Sequence, residues 1–174
     1  PVVSISDAQR DPVPDAGWVG TVYHGLPIEE YPFTPEPSDY FAFVGRMFHL
    51  KGVDQLVHAA VMLMKRRPEL NCRVDLIGYD SNDGPLGSYV AFLQTLIPPR
   101  LRERFHFLGH MKHGEIAERL NDALFAVFPN RVESFCYALH EVHDAGVPII
   151  ANRLPAFEDF FRHEQTALLY DGTT

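Results

Sequence analysis

The chain is short of basic charge, cysteine, long apolar runs and glycine-rich phosphate loops. Its 15 Lys and Arg are outnumbered by 23 Asp and Glu, for a formal charge of −8 at pH 7. Broad nucleic-acid binding needs the opposite balance, because phosphates must be neutralised along the strand. One small phosphate ligand stays compatible, since a local basic pair can dominate a pocket. Only two cysteines occur, Cys72 and Cys136, far apart in sequence. They fit a reduced compartment and leave a disulfide open. No apolar run approaches the length that spans a bilayer. Neither G-x-G-x-x-G nor G-x-x-x-x-G-K-[ST] is present, which excludes the common dinucleotide and P-loop fingerprints. What is present is a 174-residue chain with 46% hydrophobic residues, enough for one domain with a core.

Apolar runs alternate with helical periodicity from residue 40 onward. Strands are expected at Tyr40–Gly45, Arg73–Ile77, Phe105–Leu108, Leu124–Phe128, Val147–Ala151 and Ala167–Tyr170. Helices are expected at Val53–Lys65, Leu86–Leu96, Lys112–Asp122, Phe135–Ala145 and, as a short piece, Pro155–Phe161. Near-continuous apolar strands between amphipathic helices predict an α/β fold: a Rossmann-like, doubly wound parallel sheet covered on both faces. The first 38 residues fit that sheet badly. Val2–Ile5 is a candidate short strand, Trp18–Tyr23 is a second apolar stretch, and Tyr31–Pro37, with three prolines, is an expected linker. The chain opens and closes abruptly, which predicts a piece of something larger.

Ligands in open parallel sheets bind outside the carboxyl ends of the strands. Gly45-Arg46 and Lys51-Gly52 join the first core strand to its helix. The glycine lets backbone approach a ligand, arginine offers a forked donor, and lysine offers a point charge. That set suits two linked phosphates, and a solvated basic turn is the plain alternative. Glu133 and Glu141 lie eight positions apart across the start of a predicted helix, about 12 Å along an axis rising 1.5 Å per residue. Each carboxylate can accept two hydroxyl bonds and so suits a vicinal diol. Ser134 is a candidate cap for that helix. His110 follows the third core strand at the expected ligand edge. His106, His110 and His113 do not converge as metal ligands must, and H-E-x-x-H is absent. Asp75, in an otherwise apolar strand, is expected to pair or to face an edge.

Together these segments resemble the retaining glycosyltransferases of family 4, the glycogen-synthase-like class. The resemblance rests on Phe43-Val44-Gly45-Arg46, Lys51-Gly52-Val53-Asp54, Leu76-Ile77-Gly78-Tyr79 and Phe107-Leu108-Gly109-His110. It continues through Glu133-Ser134-Phe135-Cys136-Tyr137-Ala138-Leu139-His140-Glu141 and Gly146-Val147-Pro148-Ile149-Ile150-Ala151. The E-x7-E element is moderately specific; the ordered set is stronger. Such enzymes have two Rossmann-like domains facing a cleft, the arrangement called GT-B.

The resemblance implies that residues 1–38 are the end of an N-terminal domain and its linker. Residues 39–174 would then be the nucleotide-sugar donor-binding domain, truncated at its C-terminus. Arg46 and Lys51 would hold the donor diphosphate, Glu133 would contact the donor sugar, and Glu141 would bind the ribose hydroxyls. Arg46, Lys51 and Glu133 are thus the catalytic candidates. Gly45 and the backbone of Phe135, Cys136 and Tyr137 would line the sugar-phosphate end. Tyr79 and His110 are candidates for the nucleotide pocket. The implied reaction is sugar transfer from a UDP- or GDP-sugar, with retained configuration, to a carbohydrate or lipid-linked acceptor held by the missing domain. No other cofactor and no metal is implied, and the isolated piece is expected to be inactive. The implied location is cytoplasmic, with a membrane surface as partner only for the full-length enzyme. Cys136 and Val142 stand where the family has glycine and alanine, and His24-Gly25 where it has Asn-Gly; Cys136 bears on donor type. A nucleotide-sugar epimerase or sugar phosphorylase of the same architecture, and a non-catalytic nucleotide-sugar binding module, are the competing readings.

Overall fold

A computed structural model describes residues 2–25, 38–82 and 84–172. The expected Tyr31–Pro37 linker lies outside the described residues. Near the amino end, β1 (Val2–Ser4) and β2 (Trp18–Thr21) form a small parallel pair of their own. The rest builds one six-stranded sheet.

That sheet contains β3 (Tyr40–Val44), β4 (Arg73–Ile77), β5 (Phe105–Gly109), β6 (Ala126–Phe128), β7 (Ile149–Asn152) and β8 (Leu168–Tyr170). Their spatial order is β5-β4-β3-β6-β7-β8, and every pairing is parallel. Parallel pairing puts all the carboxyl ends on one edge. Chain order reverses between β3 and β6, so a crevice opens there.

All five residues of β3 are buried, as a central strand covered on both faces requires. Phe41, Phe43, Val74 and Leu76 point to one face and pack on α1 (Val53–Arg66) and α2 (Tyr89–Thr95). Tyr40, Ala42, Val44, Ala126 and Phe128 point to the other. There they meet α3 (His113–Leu120), α4 (Tyr137–Asp144) and α5 (Pro155–Glu158). Full burial of a side chain such as Phe43 or Leu76 contributes about 1.5–3 kcal/mol. The α/β, doubly wound architecture expected from the apolar alternation is present.

Several boundaries differ for local reasons. α2 starts at Tyr89 because the Ser88 hydroxyl accepts from Ala91 N at 2.9 Å and caps it. α4 starts at Tyr137 because Cys136 sits in the left-handed region, φ 67° and ψ 76°, and ends the helix there. Ser134 therefore does not cap α4, and Glu133 lies on a loop, off the α4 axis. β7 starts after Pro148, which has no N–H for a ladder. Both cysteines are free thiols. Among the described residues no helix is long and apolar enough to cross a membrane.

Candidate donor site

Two glycines bring the loops of the carboxyl edge into contact. Gly52, the N-cap of α1, has φ 67°, and a β-carbon there would stand 1.9 Å from the Pro129 carbonyl oxygen. Gly78 follows β4, and its β-carbon would stand 1.9 Å from Gly45 O. Only glycine permits both approaches. They press the loop after β3 against the loops after β6 and β4.

An ion-pair clamp holds the same junction. Arg131 grips Asp54 with two parallel bonds, Nη1 to Oδ1 at 2.8 Å and Nη2 to Oδ2 at 2.7 Å. Nη1 also donates to His49 O, Arg131 N donates to Leu50 O at 2.8 Å, and the Tyr89 hydroxyl donates to Asp54 at 3.1 Å. Burial opposes charge on Asp54, but the bonds and charge of Arg131 win and hold its carboxyl below the usual range. Asp54 also stands in the first turn of α1, where the helix dipole favours an acid.

The clamp positions a turn of 3-10 helix, His49–Lys51, which presents Lys51. Lys51 Nζ donates to Glu133 Oε2, and Glu133 Oε1 accepts from Ser134 N at 3.1 Å. Arg46, Lys51, Glu133 and Ser134, with Phe48 and Val132, line an open depression of about 530 Å³. It sits at the reversal between β3 and β6. A smaller depression of about 400 Å³ along α1 is lined by Phe41, Leu56, Leu63, Phe125, Val127 and Ile150. None of those side chains offers a charge to a phosphate.

Glu141 does not line the charged depression. It borders a cleft of about 10 Å³ beside Val44 and α3, with His113 Nε2 at 3.3 Å from its Oε1. The two clefts flank the carboxyl end of β3. Tyr79 and His110, beyond β4 and β5, stack face to face with centroids 4.0 Å apart and planes at 11°. Tyr79 remains 60% exposed, so a flat aromatic surface is available at that edge. Gly45 N donates to Ile77 O at 2.9 Å and so belongs to the β3–β4 junction.

Phe135 is buried, its ring stacked on His140 at 4.3 Å, so only its backbone can serve a ligand. Burial pushes His140 below its ordinary value. Tyr137 is half exposed and packs against His24 at 4.8 Å. Burial, with Glu133 adding to it, pushes the Cys136 thiol up to about 12. A neutral thiol there is no nucleophile. Among the described residues no group of three or more His, Cys, Asp or Glu is placed to hold a metal ion. The sequence reading missed Asn130, Arg131 and Asn152. Pro129-Asn130-Arg131 follows a strand directly, which was the available signal.

Residues 28–174 match the family described as glycosyl transferases group 1. The chain belongs to that family. A D-inositol 3-phosphate glycosyltransferase of Corynebacterium efficiens is 30% identical over 138 residues, covering 79% of this chain and 32% of the relative. A 2-deoxystreptamine N-acetyl-D-glucosaminyltransferase of Niallia circulans is 30% identical over 129 residues, covering 74% and 31%. The chain thus spans about a third of these curated relatives. Among solved structures, Anabaena HepE in complex with UDP superposes with a TM-score of 0.80 at 19% identity, covering 98% of this chain and 49% of that one. At that identity the likeness is one of fold.

Proposed function

We propose that this group 1 chain supplies the donor site of a retaining glycosyltransferase that uses a nucleotide-diphosphate sugar. The observation that carries the reading is the convergence of Arg46, Lys51 and Glu133 on one open depression at the sheet's reversal point. Arg46 and Lys51 take the diphosphate and stabilise the charge that grows on it as the glycosidic bond breaks. Glu133 takes hydroxyls of the donor sugar. Glu141, on the other side of β3, takes the ribose hydroxyls, which requires the small cleft beside His113 to open around it. The Tyr79–His110 face receives the base. Residues 39–174 act as the donor-binding unit, residues 1–38 as the end of a neighbouring domain with its linker, and the acceptor lies on that neighbour. The UDP complex of HepE supports a uridine donor without fixing it for this chain.

Calorimetric titration of the protein with UDP, GDP, UDP-glucose and GDP-mannose tests the reading. The expected result is selective binding to one nucleotide series, weakened at least tenfold in Lys51→Ala. Binding to none of them, or equal binding by the variant, overturns it.

A further inference from the structure

Asn130 follows β6 by two residues and is 1% exposed. Its Nδ2 donates to Glu133 Oε2 at 2.9 Å, the oxygen that also accepts from Lys51. Its Oδ1 is buried without a hydrogen-bond partner among the described residues. Its backbone oxygen accepts from Asn152 Nδ2 at 2.9 Å, and Asn152 Oδ1 accepts from Gly172 N at 2.9 Å. One line of polar contacts therefore runs from Gly172 after β8, through the last residue of β7, to the loop after β6 and ends on Glu133.

We propose that Asn130 is a positioning residue for Glu133, setting the carboxylate that recognises the donor sugar; this rests on the donor-site reading above. A buried amide with an unmet acceptor costs free energy, and a small or apolar residue would avoid that cost. What the amide supplies is a fixed donor. Lysine alone leaves the carboxylate free to rotate with a long, flexible side chain. Two donors from different elements, Lys51 before α1 and Asn130 after β6, pin Oε2. Ser134 N fixes Oε1, and the remaining lone pairs are held ready for sugar hydroxyls. Asn152 holds the Asn130 backbone in turn, so Asn130 is not set by its own loop alone. Asn130 touches no ligand in this scheme. Its effect is confined to the sugar, because the phosphate is held by Arg46 and Lys51.

The test compares each nucleotide with its sugar conjugate: UDP against UDP-glucose, and GDP against GDP-mannose. It uses wild type, Asn130→Ala, Asn130→Ser, Glu133→Gln and the Asn130→Ala/Glu133→Gln double variant. Serine is too short to reach Glu133 but keeps a polar group in place, so it covers the case in which alanine fails to fold. The expected result is an about tenfold loss of nucleotide-sugar affinity in Asn130→Ala and Asn130→Ser, with free-nucleotide affinity changed less than about twofold. Glu133→Gln should show the same selective loss, and the double variant no further loss. Equal losses for nucleotide and nucleotide sugar, no loss for either, or fully additive losses would overturn the inference and leave nucleotide binding standing. A wild-type protein that binds no nucleotide would remove the donor-site reading, and the inference with it.

Discussion

Two ion-paired acids in this molecule, Asp75 and Glu133, differ in what surrounds them. Asp75 is fully buried, held by Arg119 at 2.7 Å, His106 at 3.1 Å and Arg73 at 3.8 Å. Both guanidiniums also lie against the Tyr40 ring, 4.6 and 4.8 Å from its centroid. The Lys51–Glu133 pair instead opens on the charged depression, with side chains 28% and 12% exposed. Ion pairing by itself therefore marks no site here. Asp75 lies inside the fold and its partly exposed partners reach in to it, so the pairing opens on no ligand-sized volume, although its Oδ1 lacks a hydrogen-bond partner among the described residues. Lys51 and Glu133 face a volume that can admit a ligand.

Substitutions can break that contrast in a defined order. The largest effect belongs to the junction between the loops. Gly52→Ala drives a β-carbon into the Pro129 carbonyl, and at φ 67° it is strained as well. Loss of more than about 4 kcal/mol is expected in a urea titration. Next is Arg119→Met, which strips the nearest charge from a buried carboxylate. A loss of about 3 kcal/mol is expected, with unchanged nucleotide affinity in the folded fraction. Lys51→Ala should do the reverse: stability within about 1 kcal/mol of wild type, because the pair is partly exposed, and nucleotide affinity down at least tenfold. A result with both variants losing stability alone would erase the distinction.

The smallest effect is the acid dependence of the clamp. Asp54 has a lowered folded pKa, so its contribution is complete above the unfolded value of about 3.9 and is lost as pH falls through the folded one. Asp54→Asn should therefore cost about 1 kcal/mol near neutral pH, and the gap to wild type should narrow as pH falls below the unfolded value. Thermal melts at pH 7, 4 and 2.5 check this.

The sheet was legible because each of its strands is an apolar run and each main helix has one apolar face. Val53, Leu56, Val57, Ala60, Val61 and Met64 are all buried on α1, as their spacing requires. The placement of Arg46, Lys51 and Glu133 near one edge followed from strand ends alone. The relation between Glu133 and Glu141 did not, because one left-handed residue, Cys136, shortens α4 and leaves Glu133 on a loop. Nor did the Arg131–Asp54 clamp, which joins residues 77 apart without periodicity. Asn130 and Asn152 have no periodicity or motif to mark them; only their contacts link the ends of β6, β7 and β8.

A crystal structure of the protein with UDP-glucose or GDP-mannose bound tests the central claim most directly. The account expects the diphosphate within hydrogen-bond reach of Arg46 and Lys51, with the sugar against Glu133. A diphosphate bound elsewhere, leaving Arg46 and Lys51 untouched, would contradict it.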